Sequence, residues 1–487
     1  MSFAVVPEST GRDPSSAPAA VKSDSGTPWR RRLVGLLAGT AWVAVSILLQ
    51  LSRSRRTPVW DDVWAEDARY FYSNARTHPW HSTLFEPIAG YLQVVPRGWS
   101  IVAAQFPVVD GAFLIAFTAA LSASVLSVYV FVATRRVLPQ TWQRYAAAGL
   151  IALHPAASWE VNAALNNVHW FFMMAAFWAC LSEAGNRWRT AADVGVVVLS
   201  ALSDPLTALF LPIVLVRAWR SRGSARWVAS ALLVSLVLQY VLAIHNGPLQ
   251  HSAPQYKALP EVFAFRLAGS LLVGETWNRD LYLAHGAVWV LVAAIVVVAV
   301  LAVGLWRLRG RNQPLLALAV GYAVAFLAVP LVLRGGAEGY LVKPVRSLGS
   351  RYVIVPLYLG YVAWIVLAGG LASRIRSVSS SAPERKGPRR GAPKGVARVA
   401  LPVLVGLLLV GQLAGNFATL GARTSSASWR KAVASAEIAC ASGQVGKRVP
   451  SALPRIAQPF LKSPDVVWLP VAPWSMNWPA RLPCNQL

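Results

Sequence analysis

The chain has 487 residues, 55% hydrophobic and only 14% charged, with 46 Lys and Arg against 20 Asp and Glu for a formal net charge of +26. Soluble domains carry about 25% charged residues, so this composition cannot clothe a water-facing surface and excludes a soluble globular protein. Excess base on a soluble chain would suggest nucleic acid, but here it is gathered mostly in short links between long apolar runs, as membrane insertion requires, and a nucleic-acid partner is excluded.

Residues 1–32 are rich in Ser, Pro and Ala without an apolar run, and are read as a disordered cytoplasmic tail with no signal peptide. The transmembrane domain is expected over 33–419. Its spans are predicted at 33–51, 111–133, 144–158, 168–183, 192–203, 205–217, 227–245, 286–306, 314–333, 351–373 and 398–419. A run such as 286–306 is long enough to cross about 30 Å of hydrocarbon. With the N-terminus inside, the basic links Arg30 to Arg32, Arg135-Arg136, Arg187 and Arg189, Arg217 to Arg226, Arg307 to Arg311 and the linker 374–398 all fall on the cytoplasmic side. The C-terminus then lies outside. Arg53, Arg55 and Arg56 fall outside against the rule. Residues 91–107, broken by Pro96-Arg97, are expected to form an interfacial or re-entrant helix. The short segments meeting at Asp204-Pro205 resemble a broken helix pair lining a polar site. The outer surface comprises loops 52–110 and 246–285, a link at 334–350 and a C-terminal tail at 420–487.

Acidic residues concentrate in the first outer loop: Asp61, Asp62, Glu66, Asp67 and Glu86. The stretch from Trp60 to Tyr72 suits a surface helix, on which Asp62 and Glu66 would share a face. Such a cluster serves as general base for an acceptor hydroxyl, or as a divalent-cation site, or is a solvated acidic face. The loop continues through His78-Pro79-Trp80-His81 to Gly90-Tyr91-Leu92-Gln93-Val94-Val95-Pro96-Arg97.

An acidic pair, an aromatic run and then Gly-Tyr-Leu-x-x-x-Pro-Arg resemble bacterial multi-span glycosyltransferases of the GT-C fold class, which use polyprenyl-phosphate sugars. The resemblance extends in order through Asn162-Ala-Ala-Leu-Asn166-Asn167-Val-His169-Trp170, Ser203-Asp204-Pro205 with Arg217, Arg351-Tyr352 and a tail ending Trp478…Leu482-Pro483-Cys484. It implies an all-α polytopic membrane protein, a GT-C-like bundle of about eleven transmembrane helices with outer loops. The implied enzyme transfers a sugar from a polyprenyl-phosphate donor to a polysaccharide, glycolipid or protein acceptor at the outer face of a bacterial plasma membrane, among membrane lipids. Glu66 and Asp67 are the favoured catalytic acids. Asp61 and Asp62 remain alternatives, because the pair lies about 15 residues beyond the first span.

Positive charge for the donor phosphate is expected from Arg97, Lys343, Arg346 and Arg351. Asn162, Asn166, Asn167, His169, His81 and Tyr91 are candidate sugar or acceptor contacts. No cofactor is required; a divalent cation, if one is used, would sit at Glu66 and Asp67. Cys180 falls in a predicted span, whereas Cys440 and Cys484 share the outer tail, where disulfides form, so they are expected to pair and staple a small tail too short for a large core. Trp468, Trp474 and Trp478 could stack on sugars or mark the membrane interface. A secondary transporter or lipid flippase would account for the broken pair at Asp204 but not for the outer acids. A non-catalytic envelope assembly protein is the third reading.

Overall fold

The computed structural model describes residues 28–158, 160–221, 223–244, 256–334, 350–380, 393–418, 427–443, 445–446, 460–463, 465–471 and 479–487. The chain divides into two compact units, Met1–Ala41 and Trp42–Leu487. The division falls inside the first helix, α1 (Pro28–Leu51), and the packing described below is that of the second unit.

The principal helices after α1 are α2 (Val94–Ala103), α3 (Gly111–Ala133), α4 (Thr141–Ala152), α5 (Val168–Leu181) and α6 (Arg187–Ala201). They continue with α7 (Leu211–Arg220), α8 (Ser224–Gln239), α9 (Ala287–Arg307), α10 (Asn312–Arg334), α11 (Ile354–Ser380), α12 (Pro393–Gly415) and α13 (Trp429–Ser442). The sequence of α9 is dominated by Val and Ala and holds no polar side chain before Arg307. In water so many valines would favour a strand. In hydrocarbon only a helix satisfies every backbone group within the segment.

Six helices among the described residues are long and apolar enough to cross a membrane: Arg32–Leu51, Val108–Arg136, Ser224–Ala243, Ala287–Arg307, Asn312–Leu333 and Ile354–Arg374. The other predicted spans correspond to shorter helices, α4 with 12 residues, α5 with 14 and α6 with 15, or to the composite 205–220, a 3-10 segment (Pro205–Phe210) continued by α7. Val399–Gly415 is also shorter than the six. Within the spans, burial sorts centre from rim. Ile354–Arg374 is 94% buried inside the protein and Ala287–Arg307 only 22%, so α11 is the axis of the bundle and α9 faces the surrounding lipid. Polar side chains tie helices to the axis: Gln143 on α4 donates to Ile365 O at 3.0 Å. It lies where a Cβ on Gly369 would come within 2.1 Å of its Nε2, so a side chain at that crossing would have to displace the Gln143 amide.

The bundle has two chemically distinct ends. At one, Arg311 donates to Arg136 O, Arg374 to Arg307 O, Arg136 to Glu183 O, Arg217 to Ser182 O and Gln140 to Gly369 O. The basic links therefore converge, as their distribution in the sequence predicts. At the other end Arg53, which breaks the charge rule, is 2% exposed. Its guanidinium donates to Phe417 O at 2.9 Å, His154 O at 3.0 Å and Asn416 O at 3.4 Å. It serves the free carbonyls where two helices end; burial there lowers its pKa to about 9. The positive-inside rule counts loop charges exposed to the translocation machinery, and Arg53 is not one of those in the fold.

The loop 52–110, read from the sequence as the first outer loop, departs from the expected surface helix. Asp62 has extended backbone, and helix resumes only after Trp64 with a wide π-type turn, Asp67–Tyr72. Asp62 and Glu66 therefore do not share a helical face; Asp62 is buried at 2% exposure. Residues 91–107 contain the ten-residue α2, which at 1.5 Å per residue reaches only about 15 Å and does not span. Its N-terminus is tied down by Val94 N donating to Leu202 O and Val95 N to Ser203 Oγ. The π-type turn lies against the start of α3, where a Cβ on Gly111 would stand 2.8 Å from the Tyr72 ring.

The tail is a small α/β unit. Strands β1 (Phe460–Ser463), β2 (Val466–Leu469) and β3 (Ala480–Pro483) form an antiparallel sheet in that order. Packed against it, α13 is joined through the Cys440–Cys484 disulfide, as expected; Cys180 is free and buried. The tail docks on the first outer loop. Trp429 donates to Val108 O at 2.8 Å and meets Tyr72 edge-on at 6.0 Å, and Arg481 N donates to Ser73 Oγ at 3.0 Å.

Candidate functional site

At the end of the bundle away from the converging arginines lies a cavity of about 460 Å³, lined by Glu66, Tyr70, Glu86, Pro87, Ile88, Ala89, Tyr91, Gln93, Arg97, Asn166, Asn167, His169, Trp170, Arg351 and Tyr352. Four chain segments build it: the first outer loop, the start of α2, the turn entering α5, and the 3-10 turn (Ser350–Tyr352) entering α11.

Each carboxylate is held by an arginine, Glu66 by one far along the chain and Glu86 by one on the helix that follows it. Glu66 Oε1 lies 3.2 Å from Arg351 Nη1, and its Oε2 accepts from Asn166 Nδ2 at 3.0 Å. Glu86 Oε2 lies 3.1 Å from Arg97 Nη1 and accepts from Asn74 Nδ2 at 2.8 Å. Arg97 is fully buried, its guanidinium over the Phe71 ring. Besides Glu86 it reaches Tyr70 O, but its Nε and Nη2 have no partner among the described residues. Burial lowers its pKa, with the Glu86 charge opposing. Burial also works against the charge on Arg351, but Tyr352, Glu160 and Glu66 outweigh it and raise the pKa well above the ordinary arginine value. Glu160 adds position as well as charge, accepting from Ser350 Oγ and from Arg351 N at 2.9 Å.

Glu66 and Asp67, adjacent in sequence, have different surroundings. Asp67 is fully buried. Its Oδ2 accepts from Leu165 N at 2.8 Å and its Oδ1 from Asn166 N at 2.6 Å, so it anchors the turn that carries Asn166 and Asn167 and does not line the cavity. In this arrangement the pair is not a joint cation-binding set. Among the described residues no group of three or more His, Cys, Asp or Glu is placed to hold a metal ion. The remaining acids are also outside the lining. Asp61 Oδ1 accepts from Arg430 N at 3.0 Å and so braces the tail.

Of the expected sugar contacts, Asn166, Asn167, His169 and Tyr91 converge on the cavity. His169 Nε2 lies 3.4 Å from Asp204 Oδ2, and Asp204 Oδ1 accepts from Leu206 N, so the Asp204-Pro205 break borders the site. Asn162 donates to Gln50 O at 2.7 Å, and His81 is exposed beside Trp80; neither lines the cavity. Of the expected phosphate ligands Arg97 and Arg351 line it, whereas Lys343 and Arg346 fall outside the described residues, as do Trp474 and Trp478. Trp468 sits on the tail between Lys462 and Arg481. Glu86, Tyr70, Gln93, Trp170 and Tyr352 join the lining without having been singled out as site residues. The signal for Glu86 was its position between the acidic pair and Pro96-Arg97.

Backbone strain marks the same place. Among the described residues three non-glycine residues have positive φ, Ala65 at 34°, Ala89 at 52° and Ala163 at 50°. Ala65 precedes Glu66, Ala89 lines the cavity and Ala163 lies in the loop leading to Asn166. Such conformations cost about 1–3 kcal/mol each and concentrate at functional sites.

No protein-family model and no curated protein matches this sequence. Among solved structures the chain is similar to the archaeal oligosaccharyltransferase AglB from Archaeoglobus fulgidus in complex with an inhibitory peptide and a dolichol-phosphate, with 12% identity and a TM-score of 0.39 over 81% of this chain and 57% of that one. It is similar to the apo form of the Archaeoglobus fulgidus oligosaccharyltransferase with 13% identity and a TM-score of 0.37 over the same shares. The chain thus spans 57% of the length of these two structures, and at such TM-scores the likeness decides nothing about its chemistry.

Proposed function

We propose that this chain is a membrane glycosyltransferase that moves a sugar from a polyprenyl-phosphate donor to an acceptor hydroxyl in the cavity between the first outer loop, α2, α5 and α11. The observation that carries the reading is the buried Arg97 guanidinium at the cavity wall, with Nε and Nη2 lacking partners among the described residues. Glu86 takes one of the guanidinium donors, and an anionic oxygen would satisfy the two left over; a phosphate monoester or diester matches a guanidinium fork. The sequence resemblance supplies the class of donor.

In the proposed reaction Glu66 takes the acceptor proton, and the acceptor oxygen attacks the anomeric carbon. The bond from that carbon to the phosphate oxygen breaks, and the electron pair leaves with the polyprenyl phosphate, whose charge Arg97 stabilises. Asn166 and Arg351 hold the Glu66 carboxylate in place; Tyr91, Trp170 and Tyr352 offer ring faces to the sugar. The proposed location is a plasma membrane, with the cavity on its outer face and the converging arginines inside.

The test is release of polyprenyl phosphate from a panel of polyprenyl-phosphate monosaccharides by the full chain in lipid nanodiscs. Glu66→Gln should lower turnover by about a hundredfold or more, the scale of a lost general base. Arg97→Gln should mainly weaken donor binding. Wild-type turnover in Glu66→Gln would overturn the mechanism. Movement of an intact lipid-linked sugar across vesicles without cleavage would replace the enzyme by a flippase.

A further inference from the structure

At the opposite end of the bundle a second cleft, of about 740 Å³, opens between the C-terminal end of α3 and the start of α6. The helix α3 has 23 residues, so at 1.5 Å per residue the cleft lies about 30 Å from the Tyr72 end of the bundle and is separate from the candidate active site. Its rim carries Arg135, Arg136 and Arg189; its walls include Val128, Val132 and Trp188.

The charge at the rim is only partly cancelled within the protein. Glu183 is the acidic residue in the lining. Asp193, behind the rim, stands 3.9 Å from Arg189 Nε and accepts from Tyr129 Oη at 2.6 Å. Arg136 uses Nη1 on Glu183 O and Arg189 uses Nη2 on Ser182 Oγ. Arg189 Nε is buried without a hydrogen-bond partner, and the Arg135 side chain has no hydrogen bond or ion pair, among the described residues. An anion placed here would meet the exposed Arg135 guanidinium, with Arg136 and Arg189 beside it, and a surplus of positive charge: three arginines against Glu183 and Asp193.

The walls give the anion a lipid's shape. Val132 is 44% exposed and Trp188 74% exposed. Val132 stands near the end of the candidate span Val108–Arg136, and Trp188 opens α6 beside it, so both lie at the level of a membrane headgroup, where Trp favours the interface. A soluble anion would gain nothing from these apolar surfaces, whereas a phospholipid fills rim and wall together.

We propose that this cleft is a binding site for an anionic glycerophospholipid, with the phosphate between Arg135 and Arg189 and an acyl chain along Val128, Val132 and Trp188. The site is distinct from general attraction of basic loops to a charged leaflet because it is saturable and draws on specific side chains.

Native mass spectrometry of the full chain in mild detergent, titrated with phosphatidylglycerol or phosphatidylcholine, tests it. One phosphatidylglycerol should be retained in preference to phosphatidylcholine. Arg135→Gln should weaken that retention about fivefold, the effect of one basic residue at an anionic surface. Arg135 is exposed and makes no bond among the described residues, so the variant should fold normally. Arg309→Gln, which removes a charge at the same end but outside the cleft, should leave retention unchanged. Equal loss in Arg135→Gln and Arg309→Gln would overturn the proposal, as would equal retention of the two lipids. Displacement of the lipid by millimolar inorganic phosphate or glycerol phosphate alone would also overturn it, since the walls would then contribute nothing.

Discussion

At the scale of single residues, neighbours in sequence have been given different work. Glu66 opens onto the cavity between Arg351 and Asn166, while Asp67 is turned into the protein and takes two backbone N–H groups of the turn at Leu165 and Asn166. The helix that begins after Trp64 sends successive side chains about 100° apart, and here that turn puts Glu66 at the cavity and Asp67 against the backbone at Leu165 and Asn166. Asp67→Asn keeps one acceptor and puts a donor against a backbone N–H, costing about 1–3 kcal/mol for the group left unsatisfied. The variant should show a lower midpoint of thermal unfolding and should lose activity in step with folded protein. Glu66→Gln should leave that midpoint almost unmoved. Arg53 belongs with Asp67: Arg53→Met removes the donor shared by Phe417, His154 and Asn416 carbonyls. It should lower the unfolding midpoint while donor affinity in the surviving folded fraction stays the same.

At the scale of elements, the tail and the first outer loop are one mechanical piece. The loop cannot bury itself, since its helices are the short turns Asp67–Tyr72, Ser73–Thr77 and Trp80–Phe85. It is held from one side by α3 through the Gly111–Tyr72 approach. From the other side it is held by the tail, through Trp429 on Tyr72, Arg430 N on Asp61 and Arg481 N on Ser73. The disulfide joins the two parts of the tail that make these contacts, α13 and the end of β3, across 44 residues. In the loop-entropy account it contributes about 3–4 kcal/mol. Replacing both Cys440 and Cys484 by Ser should therefore speed proteolysis of the tail and lower transfer, because the segment carrying Glu66 loses an outer brace. Membrane insertion, set by the apolar helices, should be unaffected. Equal protease resistance in the presence and absence of the disulfide would show that the docking contacts suffice without it.

At the scale of the whole molecule, the convergence of the basic links at one end makes a topology prediction. Reporter fusions after Arg220 should read cytoplasmic and fusions after Leu487 external; the reverse pair would place the candidate cavity on the wrong face for an outer-leaflet donor. Much of this architecture was legible in the sequence. Run length and apolarity are local properties, and hydrocarbon leaves an apolar run of 20 residues such as Arg32–Leu51 no choice but helix. The Cys440–Cys484 pairing was legible by compartment. Part of the candidate site was legible too, as residue types in order: Glu66, Tyr91, Arg97, Asn166, His169 and Arg351 all reach one cavity. What the sequence alone could not decide was orientation and long-range partnership. Glu66 meets Arg351 across 285 residues and Asp61 meets Arg430 across 369. No local period predicts which of several acids will be spent on bracing and which will face a substrate. That choice is made by close packing around α11, where each outer segment can seat in only one way and still satisfy its buried polar groups.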